Sequence, residues 1–307
     1  MIPTPGETAL LLVNPASGRG RALKHREATA AALRAAGFTP TVQLTENLHQ
    51  GTELAANAAP GSLIAVLGGD GFLGAVAAGA KDSGAVLLPL AGGSGNDTTR
   101  RLGLALDPVK AVASLPGLVI RDIDLGLVNG RPFLGVAHVG FDALANELGN
   151  AARLNLGPLV YLYGGIKAFR QWRNVSFTVE VDGATRSFGG WLVAVGNAGQ
   201  YGGGLRIAPH ARLDDGLLDV VSLGAASIPG VVAMFLRSYR GTHLGQRHVA
   251  CVCGSGVRID ASKPLNIYAD GELVGALPAE IRVLPAALKV LVPAGSPVLG
   301  WDAPSLM

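Results

Sequence analysis

The stretch Ser62-Leu63-Ile64-Ala65-Val66-Leu67-Gly68-Gly69-Asp70-Gly71-Phe72 joins an apolar run to three glycines around one carboxylate. An apolar run bounded by glycines predicts a buried strand. Glycines at the end of such a strand let backbone N–H groups approach an anion closely, and the aspartate supplies a ligand for a metal ion. We therefore interpret residues 68–72 as a phosphate-binding turn.

The same strand, turn and helix pattern recurs around this turn. Strands are predicted at 9–13, 39–45, 62–67 and 85–90, and helices at 22–36, 50–58, 71–79 and 108–113. Buried strands that alternate with helices indicate a parallel sheet covered on both faces, and ligands of such sheets bind beyond the carboxyl ends of the strands. A second glycine turn follows the strand at 85–90, so we expect it at the same sheet edge as Asp70.

From about residue 120 the pattern changes to short alternating strands. We predict them at 121–126, 132–139, 175–181, 191–196, 216–223, 249–260, 265–269 and 281–292, with helices near 157–172 and 228–242. This spacing is typical of an antiparallel β-sandwich. We place the domain boundary near residue 125. The prediction is an α/β domain of residues 1–125, to which a segment at about 284–307 returns, and a β-sandwich of residues 126–283.

Composition limits the class of protein. The chain has 307 residues, of which 49% are hydrophobic and 15% charged, enough for two globular domains. The net charge is +3 and no block of like charges occurs, so no nucleic acid partner is expected. The first residues lack a signal-peptide pattern, no apolar run reaches the ~18 residues of a membrane span, and both cysteines suit a reducing compartment. We expect a cytoplasmic protein with peripheral membrane contact only, and a homodimer remains open.

Six short motifs are spread over nearly the full length of the chain. They are Asn14-Pro15-Ala16-Ser17-Gly18, Gly68-Gly69-Asp70-Gly71, Gly93-Ser94-Gly95-Asn96-Asp97, Asp124-Leu125-Gly126, Asp214-Asp215-Gly216 and Asp270-Gly271-Glu272. In this order they resemble the diacylglycerol kinase catalytic superfamily, and the chain looks like a soluble bacterial lipid kinase related to diacylglycerol and sphingosine kinases. The resemblance implies an N-terminal Rossmann-like, phosphofructokinase-like α/β nucleotide-binding domain, a C-terminal antiparallel β-sandwich and an active site in the cleft between them.

The resemblance also implies ATP and Mg²⁺ as cofactors and a lipid hydroxyl at the membrane surface as the acceptor. A hydroxyl is a poor nucleophile at neutral pH, so a carboxylate should take its proton. Glu272 matches the family's general base, and Asp270 is expected to support it at the catalytic centre. The positions that match nucleotide-binding residues are Asn14, Ser17, Thr45, Gly68, Gly69, Asp70, Gly71, Phe72, Gly93, Ser94, Gly95 and Asn96.

Two metal sites are implied by the same resemblance. Phosphoryl transfer needs positioning and charge neutralisation, which Mg²⁺ supplies while it bridges carboxylates and phosphates. The acids that match ligands of the catalytic Mg²⁺, which the family holds partly through water, are Asp70, Asp97 and Asp124. Asp215 matches the ligand of a structural Mg²⁺, together with the backbone carbonyls of Arg212 and Leu217.

Two departures from the family pattern keep alternatives open. Phe72 stands where a threonine is common, and Ala75 stands where an acid is usual one turn later. A catalytically weak nucleotide- or lipid-binding regulatory protein is therefore one alternative. Another is an NAD kinase-like enzyme, which has a related Gly-Gly-Asp-Gly turn but a different Asn-rich stretch downstream. The mixed apolar and basic segment at 161–173 is compatible with either a membrane-facing surface or an ordinary solvated helix beside a core stripe.

Overall fold

The computed structural model describes residues 6–150, 167–169, 172 and 175–296. The helices are α1 (Arg21–Ala35), α2 (Leu48–Ala56), α3 (Asp70–Ser83), α4 (Asp97–Arg101), α5 (Pro108–Ala113), α6 (Phe141–Asn150) and α7 (Ile228–Ser238), with 3-10 turns at Ser17–Arg19, Leu115–Gly117 and His243–Gly245. The strands are β1 (Thr8–Val13), β2 (Thr39–Leu44), β3 (Leu63–Gly68), β4 (Val86–Ala91), β5 (Leu118–Val128), β6 (Arg131–Phe133), β7 (Val136–Gly140), β8 (Val175–Val181), β9 (Ala184–Gly196), β10 (Leu218–Gly224), β11 (Val249–Gly254), β12 (Gly256–Ala261), β13 (Asn266–Ala269), β14 (Glu272–Ala276) and β15 (Ala279–Pro293).

The N-terminal part is a parallel sheet in the order β2-β1-β3-β4. β3 and β4 are buried along their whole length, which explains why their sequences are continuously apolar. The helix boundaries follow local signals. α2 begins at Leu48 because the Asn47 side chain accepts a hydrogen bond from the Gln50 N–H at 2.9 Å, and α3 continues to Ser83, where Gly84 adopts a left-handed conformation.

The C-terminal part consists of antiparallel strands around β9, which pairs with β7, β8 and β10. Apolar residues of these strands and of α7 form two separate cores, one including Phe133 and Phe177 of the strands and the other including Leu192 of β9 and Met234 of α7. The sheet is therefore covered on both faces. The predicted fold class, an α/β domain joined to an antiparallel β-sandwich, is confirmed.

Two stretches that we predicted as single strands are each divided. The stretch at 132–139 becomes β6 and β7, and the stretch at 249–260 becomes β11 and β12. In both places an aspartate elsewhere in the chain accepts backbone N–H groups at the break: Asp270 accepts those of 134–136, and Asp182 accepts that of Ser255 at 3.0 Å. Such long-range bonds leave no signal in the local pattern. Helices α4 and α6 and strand β14 were not predicted.

Strand β15 joins the two parts. Residues 279–282 of β15 pair antiparallel with β12, and residues 281–293 pair antiparallel with β5. Lys289 and Val290 also pair in parallel with β4. Side chains from the second part, including Leu134, Ala198 and Leu213, pack into the core of the α/β domain. The carboxyl ends of β1, β3 and β4 therefore face the turns of the β-sandwich. Residues 297–307 of the predicted returning segment lie outside the described residues.

The predicted helix near 157–172 and the segment at 161–173 also lie largely outside the described residues. Within the part that the structure covers, the ring of Phe169 lies 4.4 Å from that of Phe141, and Trp172 stacks on Trp191 at 6.1 Å. These two aromatic side chains pack in the core of the β-sandwich. Among the helices of the described ranges, none is both long enough and apolar enough to cross a bilayer.

Candidate functional site

Three glycine turns meet at the carboxyl edge of the parallel sheet. The Gly69 N–H donates to the Ser17 hydroxyl at 3.3 Å, which ties the turn after β1 to the turn after β3. The Gly92 N–H donates to the Gly68 carbonyl at 2.8 Å and ties the turn after β3 to the turn after β4. A Cβ at Gly18 would collide with the Gly92 carbonyl oxygen. The turns therefore pack directly against one another, as the parallel topology predicts.

Gly69 and Gly93 approach so closely that a side chain on Gly93 would collide with the backbone of Gly69. A Cβ on Gly93 would collide with the Cα of Gly69, and a Cβ on Gly69 would lie 3.3 Å from the Cα of Gly93. The first N–H groups of α3, which begins at Asp70, have no partner within the helix and point toward this edge. A surface of unobstructed backbone N–H groups at a helix N-terminus is suited to an anionic group such as a phosphate.

The side chains of several predicted nucleotide-binding residues are used to build the turns. The Asn96 amide accepts from the Gly93 N–H at 2.8 Å and donates to the Gly93 carbonyl at 2.9 Å, with Asn96 itself in a left-handed conformation. The Asn14 side chain accepts from the Ala16 N–H at 3.1 Å, and the buried Thr45 hydroxyl donates to a carbonyl of β1 at 3.3 Å. These side chains therefore stabilise the backbone at the carboxyl edge of the sheet. Ser94, by contrast, is exposed at the tip of its turn, and Gly95 is half-buried beside it.

Phe72 lies in the core and not at the phosphate turn. Its side chain is 2% exposed and fills the space between α3 and α2. A Cβ on Gly51 would lie 2.8 Å from the Phe72 ring, and a Cβ on Gly68 would collide with that ring. Gly51, in the middle of α2, therefore leaves the space that the Phe72 ring occupies. Only the backbone of Phe72 is at the start of α3. The absence of a threonine hydroxyl at position 72 therefore does not alter the backbone N–H groups of the helix N-terminus.

Restoring the family's threonine by Phe72→Thr is expected to destabilise the protein. The substitution removes a buried ring and leaves a cavity against Gly51, and the buried hydroxyl adds a desolvation cost. We expect a loss of about 3–5 kcal/mol in the free energy of unfolding. Urea unfolding measures this change, with Phe72→Leu as the control that keeps an apolar side chain. An unchanged unfolding midpoint in Phe72→Thr would contradict the core position of the ring.

Two acidic side chains meet at the start of α3 and α4. A Cβ on Gly95 would lie 3.0 Å from Asp70 Oδ2 and 3.1 Å from Asp97 Oδ2, so both carboxylates face the same small space. Asp70 Oδ1 accepts from the Thr98 N–H at 2.9 Å. Burial raises the pKa of Asp70, and the neighbouring Asp97 raises it further. The two carboxylates therefore form an electronegative position. A bound cation would reduce the repulsion between them.

Asp97 also connects the two domains. Its Oδ1 accepts from Gln200 Nε2 at 2.9 Å and from Arg100 Nη1 at 3.0 Å, and its Oδ2 accepts from the Gly203 N–H at 2.7 Å. The loop at 200–203 of the β-sandwich is thereby held against the α/β domain. Sequence reasoning missed Gln200 and Gly203. The glycine run at 202–204 is the only local signal of a tight loop there, and it does not indicate a partner.

Asp270 lies beside the first turns of α3. Its carboxylate accepts from the backbone N–H groups of Leu134 at 2.7 Å, Gly135 at 2.8 Å and Val136 at 3.2 Å. A Cβ on Gly74 would lie 3.1 Å from Asp270 Oδ2, so the carboxylate also contacts the helix. Burial raises the pKa of Asp270 to about 6 against these three hydrogen bonds, and the charge of Asp70 contributes in the same direction. Asp270 fixes the turn that carries Glu272.

Glu272 lies beside the first turn of α3. It begins β14, directly after Asp270 and Gly271, which are both in left-handed conformations. A Cβ on Gly71 would lie 3.6 Å from Glu272 Oε1. Glu272 is exposed, whereas Asp270 is half-buried against the helix. The fold thus brings together Gly71 and Glu272, which are far apart in the sequence, and leaves the glutamate carboxylate open to a ligand.

The pKa of Asp270 predicts a specific pH dependence of stability. Because this pKa is raised from 3.8 to about 6, the stabilising contribution of the protonated form is fully present below 3.8 and is lost as the pH rises through about 6. Asp270→Asn lacks this titration. The free energy of unfolding of the wild type, minus that of Asp270→Asn, should fall by up to about 3 kcal/mol between pH 4 and 7.5. Urea unfolding without nucleotide or divalent cations measures it, and a constant difference would contradict the assigned burial.

The Asp124 carboxylate belongs to a different set of hydrogen bonds from those of Asp70 and Asp97. Its Oδ2 accepts from the Gly216 N–H at 2.7 Å, and its Oδ1 accepts from the Ala286 N–H at 2.8 Å, where β15 is irregular. Burial raises the pKa of Asp124, and Asp215 and Asp214 add to the rise. Both oxygens are therefore used to hold β5, the turn at 214–216 and β15 together. Asp215 Oδ1 accepts from the Leu217 N–H at 3.0 Å in the same turn.

The assignment of Asp70, Asp97 and Asp124 to one catalytic magnesium site stays a prediction. Within the described ranges, no three His, Cys, Asp or Glu side chains are close enough together to hold one metal ion. Asp70 and Asp97 meet, whereas Asp124 is held by Gly216 and Ala286. The structural site predicted at Asp215 with the carbonyls of Arg212 and Leu217 stays a prediction. Arg212 itself pairs with the Asp214 carboxylate at 3.2 Å.

Two family models match successive parts of the chain. A family model for the diacylglycerol kinase catalytic domain matches residues 8–128, and a model for the YegS C-terminal NAD kinase beta sandwich-like domain matches residues 135–292. A diacylglycerol kinase of Mycobacterium tuberculosis (strain H37Rv) is 32% identical over 292 residues, which cover 92% of this chain and 94% of the relative.

Two further proteins extend the likeness. A Pseudomonas putida protein with the name "Probable lipid kinase YegS-like" is 35% identical over 277 residues, which cover 87% of this chain and 90% of that protein. The crystal structure of a diacylglycerol kinase from Bacillus anthracis (Sterne) superposes with a TM-score of 0.72 at 21% identity and covers 94% of this chain and 98% of that one. At this identity the structural likeness speaks for the fold.

Proposed function

The chain belongs to the diacylglycerol kinase catalytic-domain superfamily and is a lipid kinase, and from this premise we propose that it transfers the γ-phosphoryl group of ATP to a hydroxyl of diacylglycerol or a related lipid, with Mg²⁺ as the required cation. Membership of a kinase family implies ATP as the phosphate donor. One observation carries the proposal. Glu272 Oε1 of the β-sandwich lies 3.6 Å from the Cβ position of Gly71, beside the N-terminus of α3.

The proposed phosphate position is the edge formed by the three glycine turns. The N–H groups at the start of α3 have no helical partner, and Gly69 and Gly93 leave no side chain between a ligand and the backbone. The Arg21 guanidinium donates to the Gly93 carbonyl at 3.0 Å and so adds positive charge next to the second turn. This combination of donors and charge supports the binding of a polyphosphate.

The donor set fits a hard divalent cation at Asp70. Asp70 and Asp97 each turn a carboxylate oxygen toward the space beside Gly95, and their proximity contributes to the raised pKa of Asp70. Mg²⁺ prefers carboxylate and phosphate oxygens, and it would neutralise charge on the transferred group when bound. We propose that Asp70 holds it. Asp97 supplies negative charge nearby while it remains bound to Gln200, Arg100 and Gly203.

Glu272 is proposed as the general base. The acceptor oxygen attacks the γ-phosphorus, a new O–P bond forms, and the bond between the γ-phosphorus and the β,γ-bridging oxygen breaks to release ADP. The proton of the acceptor hydroxyl passes to the Glu272 carboxylate. Asp270 acts as a positioning residue, because its three backbone hydrogen bonds fix the turn from which Glu272 projects.

A product assay tests the proposed function. Purified protein is incubated with Mg·ATP and, in separate reactions, diacylglycerol, monoacylglycerol, a sphingoid base, a prenol and NAD. We expect a phosphorylated lipid from diacylglycerol, detected by mass spectrometry. Transfer to NAD alone would favour the NAD kinase-like alternative. No transfer to any acceptor, by protein that still binds ATP, would favour a regulatory binding protein.

A further inference from the structure

Helix α7 carries an exposed apolar stripe on its outer face. Ile228, Val232, Leu236 and Tyr239 are 52%, 41%, 67% and 53% exposed, respectively. Their spacing of four, four and three residues places them on one side of the helix. The opposite side is anchored, because Met234 is fully buried in the core of the β-sandwich. We call these four exposed residues the α7 stripe.

The α7 stripe is bordered by positive charge. Arg237 and Arg240 are exposed, in the last turn of α7 and just beyond it. Residues 228–245, which form α7 and the turn after it, include these two arginines and no aspartate or glutamate. A bilayer with acidic lipids has anionic head groups at its surface and apolar acyl chains beneath them. An apolar face flanked by arginines is complementary to such a bilayer.

The α7 stripe is continuous with the loop that borders the candidate site. The Arg206 N–H donates to the Ser238 carbonyl at the end of α7 at 3.0 Å. A Cβ on Gly204 would lie 4.0 Å from the Tyr239 ring, and the adjacent Gly203 donates its N–H to Asp97 Oδ2 at 2.7 Å. A surface that rests on the α7 stripe is therefore adjacent to the loop that contacts Asp97.

We propose that the α7 stripe, with Arg237 and Arg240, docks the protein on the surface of an anionic lipid bilayer. The proposal rests on the proposed lipid kinase function, because an acceptor with long acyl chains is held in a bilayer. The apolar side chains would enter the boundary between head groups and acyl chains, and the arginines would contact acidic head groups. The loop at 200–204 would then lie beside the membrane.

The charge of the surface disfavours a second copy of the chain as the occupant. A symmetric dimer through α7 would apply the same patch to itself and so bring Arg237 and Arg240 of both copies together. No acidic residue of α7 or of the turn after it, residues 228–245, offsets them. An anionic bilayer removes this repulsion.

Vesicle flotation without nucleotide tests the surface. The full chain is mixed with vesicles of phosphatidylcholine, with or without phosphatidylglycerol. We expect preferential binding to the phosphatidylglycerol vesicles, and Leu236→Glu should weaken it by at least ~10-fold because a charge replaces an apolar contact. Arg237→Gln and Arg240→Gln should each weaken it by about fivefold, and only for the anionic vesicles. The matched control is Leu106→Glu, which alters an exposed leucine (44%) of the α/β domain and should bind as the wild type does.

Activity and oligomeric state separate the possible outcomes. Leu236→Glu should retain wild-type activity toward a short-chain diacylglycerol in monomeric solution and lose activity only on vesicles. The proposal would be overturned if Leu236→Glu bound vesicles as well as the wild type does. It would also be overturned if the wild type were a dimer and Leu236→Glu dissociated this dimer without changing vesicle binding. Inactivity of every variant toward soluble acceptors would count against the proposed reaction and not against the docking surface, since flotation does not require turnover.

Discussion

Replacing Glu272 by glutamine is expected to lower kcat for phosphoryl transfer by about 10²–10⁴-fold, the range typical of a lost general base. Glutamine has nearly the same shape, but its amide cannot take the proton of the acceptor hydroxyl. Because Glu272 is exposed and the turn is held by Asp270, the substitution should not disturb the fold. The affinity for ATP should stay within about a factor of two, since the interaction is made only as the proton moves.

The matched control for this variant is Glu280→Gln. Glu280 is an exposed glutamate of β15, and its carboxylate pairs with Arg258 at 2.9 Å on the surface. An exposed pair of this kind contributes little, so Glu280→Gln should retain wild-type kcat. Steady-state kinetics and ATP titration are run on both variants. Turnover of Glu272→Gln equal to that of the wild type would remove Glu272 from the role of base.

Replacing Asp70 by asparagine is expected to lower kcat/KM by about 10²–10³-fold, as the loss of a key electrostatic group at a reacting centre does. The side-chain oxygen of the introduced asparagine can still accept from the Thr98 N–H, so the start of α3 should keep its conformation. The charge that would hold the cation is lost. The Mg²⁺ concentration that gives half-maximal activity should therefore rise together with the fall in kcat/KM.

Stability should move in the opposite direction in Asp70→Asn. Burial and the nearby Asp97 raise the pKa of Asp70, so its charged form costs stability once the pH is above that pKa. The asparagine variant should unfold at an equal or higher temperature than the wild type at pH 7. Asp82→Asn, at the other end of the same helix and exposed, should change neither activity nor stability. A variant of Asp70 that is inactive and also less stable would indicate damage to the fold.

Much of the N-terminal fold was predictable because its signals are local. The continuous apolar runs of β3 and β4 reflect burial on both faces of the sheet, and the glycines that follow them mark the turns. The meeting of these turns followed from parallel topology alone. The division of the stretch at 132–139 was not predictable, because it depends on hydrogen bonds to Asp270, which lies in a distant part of the sequence.

The interpretation of Phe72 shows a second limit. The sequence places a bulky ring next to a phosphate turn, and this departure from the family pattern kept open a catalytically weak nucleotide- or lipid-binding regulatory protein. In the structure the ring points into the core against Gly51, and the backbone of the turn is unobstructed. The direction of a side chain at the start of a helix depends on what packs beneath it. That information is in α2, which the motif does not include.

By itself, the sequence determined the fold class, the edge of the sheet at which the glycine turns meet, and the family to which six ordered motifs point, because hydrophobic periodicity and glycine spacing act over short distances. The tertiary structure alone decided which acids meet. It joined Asp70 to Asp97, placed Glu272 beside Gly71 and assigned Asp124 to the β15 irregularity. The physical reason is that carboxylate partners are chosen by the packing of two domains against each other, which no local pattern encodes.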